Sequence, residues 1–284
     1  MIADSETNFL YLADSLKKNE YSSFCEHFEN KLKENNISYT FLPNTNDIWA
    51  RDYMPIQVSD SKFVEYRYDP DYLQEIKYRH LKTYPDLVCD SLSLKTIKTN
   101  IIIDGGNVIK SSNSVIMTDK IVSENKEKYK REELINELKT LFEVEKVIFI
   151  PWDKAEYFGH ADGMIRFIDD GKVLINGYFN EYPKSFQSKL YGALIENGLT
   201  IERLNFTVSA PDQRNWAYIN YLQMKDFIFI PEFKIEEDKQ AFEIFSNLFP
   251  DYSERKAIIP VNVTDIVKEG GALNCITWNI KANQ

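Results

Sequence analysis

Met164-Ile165-Arg166-Phe167-Ile168-Asp169-Asp170-Gly171-Lys172-Val173-Leu174-Ile175 is a pair of apolar, β-branched runs folded about Asp170-Gly171. An Asp-Gly pair tolerates the positive φ angles of a two-residue type I′ turn, whose twist matches that of antiparallel strands, so the stretch predicts a β-hairpin. A helix is expected next, from Pro183, a good first-turn residue, to Glu196, closed by Gly198. A strand-like run then resumes over Thr200–Val208.

Working outward, runs rich in Ile, Val, Phe and Tyr recur at Ser38–Leu42, Phe63–Tyr68, Asn100–Ile103, Ser114–Val122, Lys146–Pro151, Met164–Tyr178, Tyr218–Phe233, Ala257–Val263 and Cys275–Ile280. Lys225-Asp226 is a candidate second hairpin turn. Between the runs lie helical faces: Phe24, Phe28 and Leu32 within Glu20–Asn36; Leu134, Ile135, Leu138, Leu141 and Phe142; and Ala241, Phe242, Phe245, Leu248 and Phe249. Hairpins interleaved with single helices are neither a clean alternating βαβ series nor an all-β sandwich. A mixed α/β fold of repeated small modules is predicted, although no sequence repeat is visible by eye.

With 284 residues, 43% of them hydrophobic and 14% aromatic, the chain has material for one compact domain spanning 1–284. A formal charge of −10 argues against nucleic acid or an anionic membrane as partner and suits a cationic ligand. Met1-Ile2-Ala3-Asp4-Ser5-Glu6 lacks the basic flank and apolar core of a signal peptide, and no window approaches a membrane span, so a cytoplasmic location is expected. Three dispersed cysteines give neither a disulfide framework nor C-x-x-C metal spacing, which agrees with a reducing compartment. Homo-oligomerisation is left open.

Three cysteines and three histidines make the search for a thiol active site short. Cys25 and His27 lie on the Glu20–Asn36 surface helix, and Cys89 and His80 lie in segments without the glycines that let a backbone approach a ligand. Cys275 and His160 differ: each follows a glycine-marked turn and sits among polar residues, in Gly159-His160-Ala161-Asp162-Gly163 and Gly270-Gly271-Ala272-Leu273-Asn274-Cys275. Two further segments set polar residues among glycine, tryptophan and proline, Asn46-Asp47-Ile48-Trp49-Ala50-Arg51-Asp52-Tyr53-Met54-Pro55 and Asp104-Gly105-Gly106-Asn107. All four lie at strand edges, where sites gather. Taken singly, Asp104 to Asn107 reads as a turn and Arg51-Asp52 as a surface pair. His160-x-Asp162 also offers two metal-ligand types, but no second histidine pair or glutamate-bearing helix motif completes a site, so no metal is expected.

Together and in this order, the four segments resemble the agmatine deiminase branch of the guanidino-group-modifying enzymes, which includes bacterial peptidylarginine deiminase. The branch has Asn-Asp-x-Trp-x-Arg-Asp-x-x-Pro, acidic-Gly-Gly-Asn, Gly-His-x-Asp-Gly followed by Arg-Phe, and a Gly-Gly loop ending in the nucleophilic Cys and Ile-Thr; the last three appear here as Asp104–Asn107, Gly159–Gly163 with Arg166-Phe167, and Gly270–Thr277. The Tyr218–Leu222 and Phe233–Pro250 regions also look like the family's late segments. The resemblance implies a pentein fold, an α/β propeller of five ββαβ modules in pseudo-fivefold array around a negatively charged site. It implies Cys275 as nucleophile, His160 as acid and base, and Asp52 and Asp162 as the clamp on a guanidinium. Asp104, Trp49, Arg51, Asn107, Asn220 and Gly271 would line or support the substrate, with neither metal nor organic cofactor. The chain departs from the pattern in Asp104 where Glu is usual, Met54 where Gly is usual, Asn274 where His commonly precedes the nucleophile, and in being shorter.

Those residue types suit the chemistry. A guanidinium is planar and cationic, so paired carboxylates orient it, and its resonance demands a strong nucleophile. The expected substrate is a small cationic guanidino compound, agmatine first, converted to N-carbamoylputrescine and ammonia through a thiouronium intermediate. A peptidyl-arginine substrate, amidino transfer to an amine, and a non-catalytic guanidinium binder are the alternatives; a pure binder needs the carboxylates but not the thiol. A cysteine protease is disfavoured, because carboxylates beside the thiol repel an oxyanion.

Overall fold

The chain turns at Asp170-Gly171 between paired strands in the computed structural model of the protein, which describes residues 1–18 and 20–282. Five such units follow one another. The first holds β1 (Phe9–Ala13), α1 (Ser22–Glu34) and β2 (Tyr39–Leu42), and a short helix, α2 (Ala50–Tyr53), leads onward. The second holds β3 (Ile56–Gln57), β4 (Phe63–Arg67), α3 (Pro85–Ser91) and β5 (Ile97–Ile102). The third holds β6 (Ile109–Lys110), β7 (Ser114–Thr118), α4 (Lys120–Asn125), α5 (Arg131–Phe142) and β8 (Lys146–Ile150). The fourth holds β9 (Ile165–Asp169), β10 (Lys172–Asn176), α6 (Lys184–Glu196) and β11 (Thr200–Leu204). The fifth holds β12 (Leu222–Gln223), β13 (Ile228–Glu232), α7 (Glu237–Leu248), α8 (Pro250–Glu254) and β14 (Ile258–Asn262), and the chain ends on β15 (Thr277–Ile280).

Each three-stranded sheet has one antiparallel and one parallel pair, because a tight turn joins the hairpin and a helix carries the chain back to a parallel third strand. The first unit lacks its own leading strand, and β15 supplies it, running antiparallel to β1 with Phe9 opposite Ile280. The last strand therefore closes the ring. Five ββαβ modules in a ring are the pentein fold.

The helices bury the faces their periodicity requires. Phe24, Phe28 and Leu32 of α1 are buried, with Phe28 edge-on to Phe229 at 5.7 Å; such side chains contribute about 1.5–3 kcal/mol each. Leu134, Leu138 and Phe142 of α5, and Ala241 and Phe245 of α7, are likewise buried. Gly198, with φ +80°, stops α6, and Pro183 stands at its N-cap position.

Some expectations are corrected. Phe9–Ala13, absent from the predicted strands, forms a central one. The Ser114–Val122 run leaves its sheet at Thr118, where the Asp119 N–H bonds Ile150 O and the chain coils into α4. Tyr218 and Ile219 belong to a 3₁₀ turn; the hairpin at Lys225-Asp226 stands, with the Met224 N–H bonded to Phe227 O at 2.8 Å. Phe242 is exposed, not part of the buried face of α7.

Candidate active site

Five links run from the third strand of one module to the first strand of the next, and each carries part of one polar cluster. The link after β2 brings Asp52, that after β5 brings Asp104, that after β8 brings His160 and Asp162, that after β11 brings Asn220, and that after β14 brings Cys275. All six are buried. Residues spread over more than 220 positions thus meet because the modules repeat around a ring.

The thiol lies on a carboxylate. Cys275 Sγ is 3.2 Å from Asp162 Oδ2, and the same oxygen accepts from Asn274 Nδ2 at 2.8 Å. Asn220 holds the Cys275 loop from the other side: its Oδ1 accepts the N–H groups of Ala272, Asn274 and Cys275 at 3.1–3.2 Å, and its Nδ2 donates to Sγ at 3.1 Å. His160 stands between two acids, with Nε2 3.1 Å from Asp104 Oδ2 and Nδ1 3.6 Å from Asp52 Oδ1. Asp52 Oδ1 also accepts the Gly106 N–H at 3.0 Å. A Cβ at Gly106 would come within 2.6 Å of that carboxylate and 2.8 Å of the imidazole, so the close approach requires glycine.

Burial and charge set the protonation states. Burial drives the Cys275 thiol well above its usual range, and Asp162 and Asp52 push it the same way. Burial alone would lower His160, but Asp52 and Asp104 outweigh it and raise the imidazole to about 10. Burial lifts Asp52 to about 7, against the pull of His160. At neutral pH the free protein holds a thiol beside an imidazolium.

A cavity of about 380 Å³ reaches this cluster. Asp52, His160 and Cys275 line it, together with Asp47, Trp49, Tyr72, Tyr78, Phe158 and Glu269, and no lysine or arginine does. A larger cleft of about 800 Å³ shares Tyr157, Phe158 and Gly270 with it but touches neither the thiol nor the imidazole, so the smaller one is where chemistry can occur.

The other predicted residues divide. Trp49 forms cavity wall and packs on Gly271, where a Cβ would fall 2.3 Å from the indole. Arg51 does not face the cavity: its guanidinium bonds Asn274 O and Asn279 Oδ1 and so braces the Cys275 loop from behind. Asn107 is spent on the Thr118 N–H at 2.8 Å. Asn220 is fully buried and touches the thiol loop, not the cavity. His160 and Asp162 bond different partners and do not converge as a ligand pair; among the described residues no group of three or more Cys, His, Asp or Glu could hold a metal.

Sequence reasoning missed Glu156, whose carboxylate accepts the N–H groups of Phe158, Gly159 and His160 and so shapes the histidine loop. It also missed Asp47 as a wall residue, which burial lifts to about 8, and Tyr72, whose ring meets His160 edge-on at 6.1 Å. Neither Glu156 nor Tyr72 stands in a glycine-marked segment, so nothing local singled them out.

Comparison with known proteins places this geometry. The family model of Porphyromonas-type peptidyl-arginine deiminases matches residues 1–280. A candidate agmatine deiminase of Photobacterium profundum is 25% identical over 227 residues, covering 68% of this chain and 61% of that protein. One from Enterococcus faecalis is 24% identical over 224 residues, covering 67% and 60%. The chain thus spans about three fifths of the length of these relatives. Among solved structures, the C. jejuni agmatine deiminase superposes over 100% of this chain and 96% of its own, with a TM-score of 0.78 at 18% identity. A DDAH from Pseudomonas aeruginosa, a mutant complexed with citrulline, gives 0.56 at 11%, covering 96% and 99%. At such identities the structures bear on the fold alone.

Proposed function

The chain belongs to the Porphyromonas-type peptidyl-arginine deiminase family, and on that premise we propose that it is a cysteine-dependent hydrolase that deiminates a small guanidino compound, agmatine foremost. The observation that carries this reading is the convergence of Cys275 Sγ, the His160 imidazole and the Asp52 carboxylate in one cavity without a lysine or arginine, with Asp162 against the thiol. Such a cavity favours a planar cation. Among the described residues no helix is long and apolar enough to cross a membrane.

The steps follow from the geometry. A guanidinium entering between Asp52 and Asp162 takes over the hydrogen bond that Asp162 makes to the thiol. Its charge offsets the two carboxylates that hold the thiol protonated, so Cys275 releases its proton to solvent and the thiolate Sγ bonds to the central carbon. Bond formation leaves a tetrahedral adduct. The His160 imidazolium then donates its proton to one NH₂ group, the C–N bond breaks, and ammonia departs from a cationic thiouronium. Neutral His160 takes a proton from water as the water oxygen bonds to that carbon. Collapse breaks the C–S bond, the hydroxyl proton passes to the departing Sγ and restores the Cys275 thiol, a ureido product remains, and the released ammonia takes up a proton from solvent in place of the one the thiol gave up. Orientation by two carboxylates supplies much of the rate.

The test is ammonia release from purified protein given agmatine, free arginine and an N-acylated arginine amide in parallel, with Cys275→Ala as blank. Release from agmatine that the blank lacks is the expected result. Release from the arginine amide alone moves the substrate to peptidyl arginine, and silence on all three refutes the reading.

A further inference from the structure

Lys120 is buried, its side chain 2% exposed, and no step above uses it. Its Nζ donates to Phe158 O at 2.7 Å and Asp71 Oδ1 at 3.0 Å, and lies 3.3 Å from Glu124 Oε1 and 3.6 Å from Asp104 Oδ2. That last oxygen is the one that meets His160 Nε2. The other oxygen, Asp104 Oδ1, is buried without a hydrogen-bond partner among the described residues. The Asp104 carboxylate is therefore fixed from one oxygen only, by a lysine on one side and a histidine on the other.

The same ammonium joins separate pieces of the cavity. Phe158 is cavity wall two residues before His160, and Asp71 precedes the wall residues Tyr72 and Leu73. The Nζ sits 5.3 Å from the centre of the Tyr72 ring. Gly159 packs on the lysine stem, where a Cβ would fall 2.6 Å from Cδ. Burial alone would discharge the amine, but Asp104, Glu124 and Asp71 outweigh it and keep the ammonium charged. The carboxylates facing it are thus Asp71, Asp104 and Glu124; Asp52 and Glu156 act on the far side of His160.

We propose that Lys120 is a positioning residue for proton transfer: it holds Asp104 against His160 and ties the Phe158–His160 loop to the Asp71–Leu73 wall. This rests on the reading of His160 as the acid and base.

Lys120→Gln removes the charge and keeps a donor for Phe158 O, whereas Lys120→Arg keeps the charge. With three histidines in the chain, the imidazole N–H protons are resolvable by ¹H–¹⁵N NMR. The parent and Lys120→Arg are expected to show a downfield Nε2–H signal from His160, bonded to Asp104, and Lys120→Gln to lose it to exchange. In turnover of agmatine, kcat is expected to fall at least about tenfold in Lys120→Gln with KM within about threefold, since Asp52 and Asp162 are untouched, and to recover in Lys120→Arg. An unchanged downfield signal in Lys120→Gln, or a kcat loss equal in both variants, overturns the proposal. Should Lys120→Gln not fold, Lys120→Arg decides: a folded Arg variant more than about tenfold down in kcat, or without the signal, overturns it. Silence of the parent on every guanidino compound with the NMR pattern intact instead sinks the reading of function, not the positioning role.

Discussion

Asn220→Leu removes one amide and should unseat the nucleophile loop. In the parent, Asn220 Oδ1 accepts three N–H groups, but Asn274 N–H also bonds Asn220 O at 3.0 Å and keeps that partner in the variant. Two N–H groups, those of the buried Ala272 and Cys275, lose their acceptor. Each such buried donor costs about 1–3 kcal/mol. The bonds are long and share one oxygen, which favours the lower half of that range, so the loss is about 2–4 kcal/mol. For a chain of this size that corresponds to a Tm lower by roughly 3–7 °C. Asn220→Asp is the informative partner, because it retains the acceptor and loses only the donor to Sγ while adding a charge beside the thiol. It should melt within about 3 °C of the parent yet release ammonia at least about 100-fold more slowly. Differential scanning calorimetry and ammonia release on the same preparations give both numbers. An Asn220→Leu protein that melts with the parent, or an Asn220→Asp protein at full rate, refutes the claim that this side chain holds and polarises the thiol loop.

Alkylation of Cys275 by iodoacetamide, followed by mass spectrometry, should be slow at pH 7–8 and still be rising at pH 10, because burial, Asp162 and Asp52 all hold the thiol protonated; a plateau below pH 8 would contradict this. Asp4→Asn should destabilise the fold by about 3–5 kcal/mol at pH 7, since Asp4 pairs with Arg166 at 2.7 Å and Lys110 at 3.1 Å, both cations being buried. The sign with pH is fixed: Lys110 and Arg166 outweigh burial and depress the Asp4 pKa below its unfolded value of 3.8. Its contribution is therefore full above about pH 4 and lost as the folded group protonates below that. The gap between parent and variant, followed by urea titration at several pH values between about 2 and 7, should narrow as the pH falls below about 4.

Helices and hairpins were legible wherever one periodicity ruled, as in Leu134 to Phe142 and in the Asp170-Gly171 hairpin. They failed where a run crosses from one element to another: Ser114–Val122 reads as one strand-like run, but the ladder ends at Thr118 opposite Ile150, with the Asp119 N–H making its last bond, and the chain coils into α4 from Lys120. Phe9–Ala13 escaped because its partners, β2 and β15, lie about 30 and 270 residues away. At the site, Cys275, His160 and Asp162 stood out because glycine-marked polar turns interrupt the apolar pattern around them, whereas Asp52 and Asp104, in segments that read singly as a surface pair and a turn, stood out only through the family resemblance. Arg51 and Asn107 lie in the same turns yet serve the scaffold, and no local signal separates the two uses.

The sequence by itself determined the chemistry available: one thiol and one imidazole in turn segments, carboxylates beside them, an acidic chain, and enough apolar residues to build modules. Tertiary structure alone decided which groups meet and in what state of protonation. Ring closure by β15 sets five links side by side, and burial with the charges of neighbouring links holds Cys275 as a thiol and His160 as an imidazolium. Protonation depends on desolvation and on charges a few ångströms away, and neither distance exists until the ring is closed.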